Sequence, residues 1–205
     1  MKKAILFDLD GTLWDTTLEV EKIWSQVLTR YNFKIPKSKI KKIMGLTKNE
    51  IIKELFPNHN QLGYEFITEC QKEENRYLIQ NGGHIYKNAI YTIKKIIDKY
   101  DLYIVSNCQT GYIETFLTYY NLYDYFKDFE CSGNTNENKS YNIKKVLERN
   151  ELEKTNAIYV GDTQNDCIAA QNNDLKFVWA QYGFGDCNKY DYKINDIKEL
   201  CSLVI

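Results

Sequence analysis

A chain of 205 residues, 43% of them hydrophobic, exceeds the ~100–150 residues of a typical domain and reads as one core plus a smaller second unit. A formal charge of −1, with no block of lysine or arginine, gives no electrostatic footprint for nucleic acid, and no apolar run approaches the ~20 residues of a membrane span. The six cysteines (70, 108, 131, 167, 187 and 201) are scattered, no C-x-x-C pair occurs and there are two histidines, which argues against a zinc site and for reduced thiols in a cytoplasmic protein.

The opening MKKAILFD has a basic pair, but its apolar run breaks at Asp8, so it is not read as a signal peptide. Ala4 to Phe7 are apolar without alternation, the pattern of a short strand buried on both faces. Asp8 and Asp10 follow, then Gly11 and Thr12. A period of two places both carboxylates on one side, which is costly unless a positive group lies between them; the expected answer is a hard, oxygen-bound cation of the Mg²⁺ type. Gly11 permits a sharp turn directly after the pair.

From Thr16 to Tyr31 the apolar residues Leu18, Ile23, Trp24, Val27 and Leu28 recur at helical spacing, with Asp15, Thr16 or Thr17 as cap. Short helices are predicted over Ser38–Met44 and, capped by Thr47, over Lys48–Phe56. A longer one covers about Tyr64–Ile79 and closes at Asn81-Gly82-Gly83. None of these segments shows strand alternation, so residues 16–83 form an all-helical block.

Strand and helix then alternate. Helices are predicted over Ala89–Lys99, Thr110–Tyr120, Ser140–Arg149 and Asn165–Gln171, and strands over Leu102–Val105, Phe126–Cys131, Ala157–Val160 and Leu175–Ala180, with a polar loop over Ser132–Lys139. The fold class is α/β: a Rossmann-like parallel sheet with helices on both faces, plus an inserted all-helical unit. Ligands of such sheets sit at the carboxyl ends of strands, where Asp8, Ser106 and Asp162 fall.

Ser106-Asn107 offers a hydroxyl and backbone N–H groups that can hold a phosphoryl oxygen, although Ser-Asn is also ordinary turn chemistry. Lys139 opens a helix, with Ser140 as its expected cap and Lys144 and Lys145 as weaker candidates for a site lysine. In Gly161-Asp162-Thr163-Gln164-Asn165-Asp166, two acids at i and i+4 share one helical face and can point at the same metal.

Together these segments resemble the haloacid dehalogenase superfamily of phosphohydrolases: D-x-D-G-T at Asp8–Thr12, a Ser at 106, a Lys at 139 and G-D-x-x-x-D at 161–166. The third motif departs from the family's usual Lys-Pro by reading Lys139-Ser140. The resemblance implies a core of residues 1–15 and 84–205 and an α-helical cap of residues 16–83, like that of the phosphoglycolate-phosphatase-like branch. It also implies roles. Asp8 would be the nucleophile and Asp10 the general acid and later base. Mg²⁺ would be held by Asp8, the Asp10 carbonyl, Asp162 and Asp166. Ser106, Asn107, Lys139 and Thr12 would contact the phosphoryl group, and Gly45-Leu46-Thr47-Lys48 resembles a specificity loop from which Lys48 reaches the site.

The implied activity is Mg²⁺-dependent hydrolysis of a small phosphorylated metabolite through an aspartyl-phosphate, with a monomer compatible with the pattern. Asp10 favours phosphoryl chemistry over carbon–halogen or carbon–phosphorus cleavage, since those branches lack it. The alternatives are a phosphomutase of the β-phosphoglucomutase type and a catalytically silent binding or regulatory protein on the same fold. Against the mutase, the stretch Thr16-Thr17-Leu18-Glu19-Val20 has no histidine, and His59 lies far along the helical block.

Overall fold

A computed structural model describes residues 3–31 and 35–203. Its centre is a parallel sheet of β1 (Lys3–Phe7), β4 (Tyr100–Ser106), β5 (Phe126–Cys131), β6 (Ala157–Gly161), β7 (Lys176–Ala180) and β8 (Tyr192–Ile194), in the order β5-β4-β1-β6-β7-β8. The period of two explains why the inner strands read as unbroken apolar runs. Ile5 and Phe7 of β1, Leu102 and Ile104 of β4, and Ile158 and Val160 of β6 enter one core. Ala4 and Leu6, Tyr103 and Val105, and Ala157 and Tyr159 enter the other.

Helices α5 (Ala89–Ile96) and α6 (Tyr112–Tyr119) cover the first face; α8 (Lys139–Arg149) and α9 (Gln164–Gln171) cover the second. The register aligns Phe7 with both Ile104 and Val160, so three strands end together, and Asp8 N–H donates to the Val160 carbonyl at 2.8 Å.

Four helices, α1 (Thr17–Tyr31), α2 (Lys37–Ile43), α3 (Lys48–Leu55) and α4 (Asn60–Asn81), build a separate apolar cluster. At its middle, Phe66 packs edge-on against Trp24 and Tyr31 and tilted against Phe56, with ring centroids 5.4–5.5 Å apart. Asp15 accepts from the Thr17 N–H at the start of α1, and Thr47 with Glu50 forms a capping box on α3.

The helical unit joins the sheet through a two-stranded antiparallel ribbon, β2 (Trp14–Asp15) against β3 (His84–Ile85). Fully buried Trp14 anchors this neck, its ring within 5.2–6.2 Å of Tyr112, Phe116 and Tyr120.

The structure departs from the sequence expectations in detail. The ribbon and β8 were not expected, and α4 begins at Asn60 rather than Tyr64. The loop after Cys131 contains a one-turn helix, α7 (Ser132–Thr135). Asn138, not Ser140, caps α8, its side chain accepting from the Tyr141 N–H.

Truncating the centre of the helical cluster removes a whole ring from a packed site. Phe66→Ala is expected to cost about 3–5 kcal/mol, read as a lowered urea midpoint with the denaturant slope unchanged.

Candidate active site

The ends of β1 and β6 and the first turn of α9 bring Asp8, Asp162 and Asp166 together, with one carboxylate oxygen of each within 4.8 Å of the others, all buried. Lys139, at the first turn of α8 and also buried, places Nζ 2.9 Å from Asp8 Oδ1 and 2.5 Å from Asp166 Oδ1. Lys144 and Lys145 are elsewhere: exposed Lys144 pairs with Glu148, and Lys145 pairs with Glu130.

The second oxygen of Asp166 accepts from the N–H groups of Asp162 and Thr163 and from the Thr163 hydroxyl, closing a capping box on α9. Asp162 Oδ2 accepts from the Phe184 N–H at 2.7 Å; buried Asp162 Oδ1 has no hydrogen-bond partner among the described residues. Gly11, at φ +81°, lies so close that a Cβ there would sit 2.1 Å from Asp162 Oδ2. Only glycine meets both demands.

The sequence expectation that four carboxylates meet at one point is corrected to three. The Asp10 side chain stands outside the cluster: its Oδ1 accepts from Tyr112 OH at 2.9 Å and lies 3.5 Å from Thr16 Oγ1. β1 has already ended at Phe7, and Gly11 N–H turns back to the Trp14 carbonyl, so the period of two no longer governs Asp10.

The environments differ accordingly. Burial, then Asp166, raises Asp8 to about 6 against the pull of Lys139. Burial, then Asp8, raises Asp10 to about 7 although the Tyr112 bond acts the other way. Burial and the neighbouring Asp166 and Asp8 push Asp162 well above its ordinary value. For Lys139, burial acts downward, but Asp166 and Asp8 outweigh it and hold the ammonium well above its usual range.

Ser106 and Asn107 lie directly beyond β4, both buried. The Asn107 side chain is already engaged: Nδ2 donates to the Gly45 carbonyl of the helical unit at 2.9 Å, and Oδ1 accepts from Ser132 Oγ at 3.1 Å. Thr12 is fully buried, and its carbonyl accepts from Tyr182 OH. Lys48 lies over the Tyr64 ring, 3.6 Å from its centroid, with Nζ 2.6 Å from Thr68 Oγ1. It lines an outer cavity of about 620 Å³ between the helical unit and the sheet.

A smaller inner chamber of about 50 Å³ reaches Asp10 and Ser106 and does not include Lys48. Tyr112, Thr16 and Glu74 of this region carry no motif signature in the sequence; the spacing from Asp10 to Tyr112 is set by the fold alone.

The haloacid dehalogenase-like hydrolase family matches residues 5–180. A phosphoglycolate phosphatase of Vibrio vulnificus (strain CMCP6) is 21% identical over 220 aligned positions, covering 99% of this chain and 96% of its own. Similar solved structures include a haloacid dehalogenase-like family protein of Streptococcus pneumoniae, with TM-score 0.87, 21% identity and coverage of 98% and 97%. Another is CbbY of Rhodobacter sphaeroides in complex with phosphate, with TM-score 0.81, 15% identity and coverage of 98% and 96%.

Two outcomes follow from the electrostatics. Lys139→Met strands buried carboxylates and is expected to cost about 3–5 kcal/mol of stability, whereas Lys144→Ala should leave the unfolding midpoint nearly unchanged. Asp8 and Asp10 have folded values of about 6 and 7 against 3.8 unfolded, so the folded chain holds more protons between these limits. Chelator-treated protein should therefore gain thermal stability as pH falls from about 7.5 to about 5. Added Mg²⁺ should stabilise it more at the higher pH, where fewer protons compete for the cluster.

Proposed function

The chain belongs to the haloacid dehalogenase-like hydrolase family, and on that premise we propose that it is a Mg²⁺-dependent phosphatase acting on a small phosphomonoester. The observation that carries this reading is the division between two aspartates two residues apart. Asp8 faces Lys139 within the carboxylate cluster, and Asp10 faces Tyr112 outside it.

The donor set suits a hard divalent cation: three buried carboxylates, no histidine or cysteine, and one orphaned oxygen on Asp162. Asp8, Asp162 and Asp166 would hold Mg²⁺ together with the Asp10 carbonyl, and the ion would supply positive charge toward the phosphoryl oxygens. Lys139 neutralises the same region and holds Asp8 ionised. A carboxylate oxygen of Asp8 forms a bond to phosphorus as the bond to the leaving oxygen breaks, and Asp10 passes its proton to that oxygen. Asp10, now a base, takes a proton from water. The water oxygen then bonds to phosphorus and releases inorganic phosphate and the Asp8 carboxylate.

A carboxyl raised to about 7 is protonated often enough near neutrality to act as an acid, and Tyr112 fixes its orientation. Ser106 and the Asn107 N–H would hold non-bridging oxygens, with Thr12 supporting the turn that presents Asp8. The helical unit of residues 16–83 would serve as a lid that excludes water and selects the leaving group.

Hydrolysis rather than intramolecular transfer is favoured at position 16. There a threonine binds Tyr112 OH at 2.7 Å, and no histidine stands ready to gate water. All six cysteines are free and no described helix is long and apolar enough to cross a membrane; a cytoplasmic, reduced-thiol setting is part of this proposal.

With para-nitrophenyl phosphate, wild-type turnover is expected to vanish in excess chelator and return with Mg²⁺. Asp8→Asn should lower turnover by roughly ten-thousand-fold or more with the circular-dichroism spectrum unchanged. Wild-type-like turnover in that variant, or free phosphate trailing a rearranged phosphate ester when a sugar phosphate is supplied, counts against the reading.

A further inference from the structure

The inner chamber beside Asp10 and Ser106 contains one charged group of the helical unit, Glu74 of α4. Its walls are otherwise apolar, from Val20, Trp24, Ile51 and their neighbours, or neutral amides, from Gln71, Asn107 and Gln109. No lysine or arginine lines it among the described residues. Lys48, expected from the sequence to reach the site, faces the outer cavity and is held there by Thr68 and the Tyr64 ring.

Glu74 is itself buried, and its two oxygens are oriented by one donor each: Trp24 Nε1 on Oε1, and Gln109 Nε2 on Oε2 at 2.8 Å. An oxygen accepting one hydrogen bond has room for a second. Burial raises the pKa of Glu74 while the bonds from Trp24 and Gln109 oppose that rise, and its charge is felt at Asp10. Nothing in the mechanism above requires this group, so a buried acid in the wall of the chamber that reaches Asp10 calls for its own account.

We infer that Glu74 selects the leaving alcohol: the chamber takes an uncharged alcohol bearing a further hydroxyl, which donates to Glu74, and rejects one bearing a carboxylate. This rests on the phosphatase reading. A carboxylate next to the leaving oxygen would meet Glu74 with no cation of the chamber to offset it, and like-charge juxtaposition in a dry site discriminates strongly. A hydroxyl there completes the acceptor capacity of Glu74, whereas a methyl group leaves it unsatisfied. The preference runs opposite to the substrate in the name of the Vibrio relative, whose alcohol carries a carboxylate.

Three short esters separate these cases, because they differ only in the group attached to the carbon that bears the leaving oxygen. With Mg²⁺ present, kcat/KM is expected to be highest for 2-hydroxyethyl phosphate, lower for ethyl phosphate and lowest for 2-phosphoglycolate, the extremes differing by roughly tenfold or more. Glu74→Gln keeps an acceptor and removes the charge, so it should shrink the ratio of hydroxyethyl to glycolate ester by roughly tenfold.

Phosphoglycolate turned over as well as the hydroxyethyl ester by wild type overturns the inference while leaving the phosphatase standing. So does a ratio that Glu74→Gln does not move, or an ethyl ester equal to the hydroxyethyl ester. Absence of turnover with these esters and with para-nitrophenyl phosphate removes the phosphatase reading, and this inference with it. Should the variant misfold, the wild-type ranking alone decides.

Discussion

Three carboxylates and one ammonium, buried together at the ends of adjacent strands, impose the constraint around which this chain is arranged. When all three acids are ionised, Lys139 leaves an excess of negative charge in a site from which water is excluded. A low effective dielectric makes that excess costly, and removing any one partner makes it worse. The surroundings answer with oriented donors. The Phe184 N–H holds Asp162, the α9 capping box holds Asp166, and Gly11 keeps its Cβ position empty so that the Asp162 oxygens can approach. One oxygen of Asp162 remains without a donor. Asp8 Oδ1 likewise lacks a hydrogen-bond donor and has only the Lys139 ammonium 2.9 Å away, so on the proposed function these two oxygens are where a cation would complete the cluster.

The same constraint explains how one short stretch provides two kinds of acid. Asp8 is still within reach of the sheet, its N–H bonded to β6, and so points into the cluster. Two residues later the chain has turned through Gly11, and Asp10 meets α6 at Tyr112. Tyr112 is itself anchored by stacking on Trp14 of the ribbon. The two aspartates therefore differ in environment rather than in kind, burial and the charge of Asp8 together favouring a proton on Asp10.

The sheet and the motif residues at its edge were legible because both follow from short-range rules. A strand buried on both faces must be uniformly apolar, and its carboxyl end is where a parallel sheet places ligands. Asp8 and Asp162 are identifiable on those grounds, Asp166 by its spacing of four from Asp162 and Lys139 only through the family resemblance, and the structure brings the four together. Two-residue strands such as Trp14–Asp15 and His84–Ile85 are too short to show a period and exist only because the ribbon closes a long loop. The start of α4 was missed because Pro57-Asn58-His59-Asn60 reads as a turn that continues outward, whereas the helix begins within it. Lys48 lines the outer cavity, whose wall also includes Asn107. Its capping box was readable, but the aromatic ring that captures its side chain comes from Tyr64, across the helical unit. Glu74 and Tyr112 lie on helices whose sequence gives no sign of what they face. Their importance is tertiary.

The segment just after β4 joins the phosphoryl site to the helical unit. Asn107 donates to Gly45, Gln109 to Glu74 and Asn75, and Asn75 in turn to the Thr110 carbonyl. The inner chamber lies beside these contacts, with Gly45, Glu74, Asn107 and Gln109 all in its wall. On the proposed function these contacts border the path by which substrate reaches Ser106. Net hydrogen-bond contributions of about 0.5–1.5 kcal/mol each make these contacts individually weak, while the apolar anchoring of Trp14 keeps the neck in place. On the same function, residues 106–110 would contact the phosphoryl group, and the same segment bonds the helical unit. On the proposed reading, selection of the alcohol by Glu74 and contact with the phosphoryl group are carried by one short segment, since Gln109 holds Glu74 and Ser106 stands three residues before Gln109.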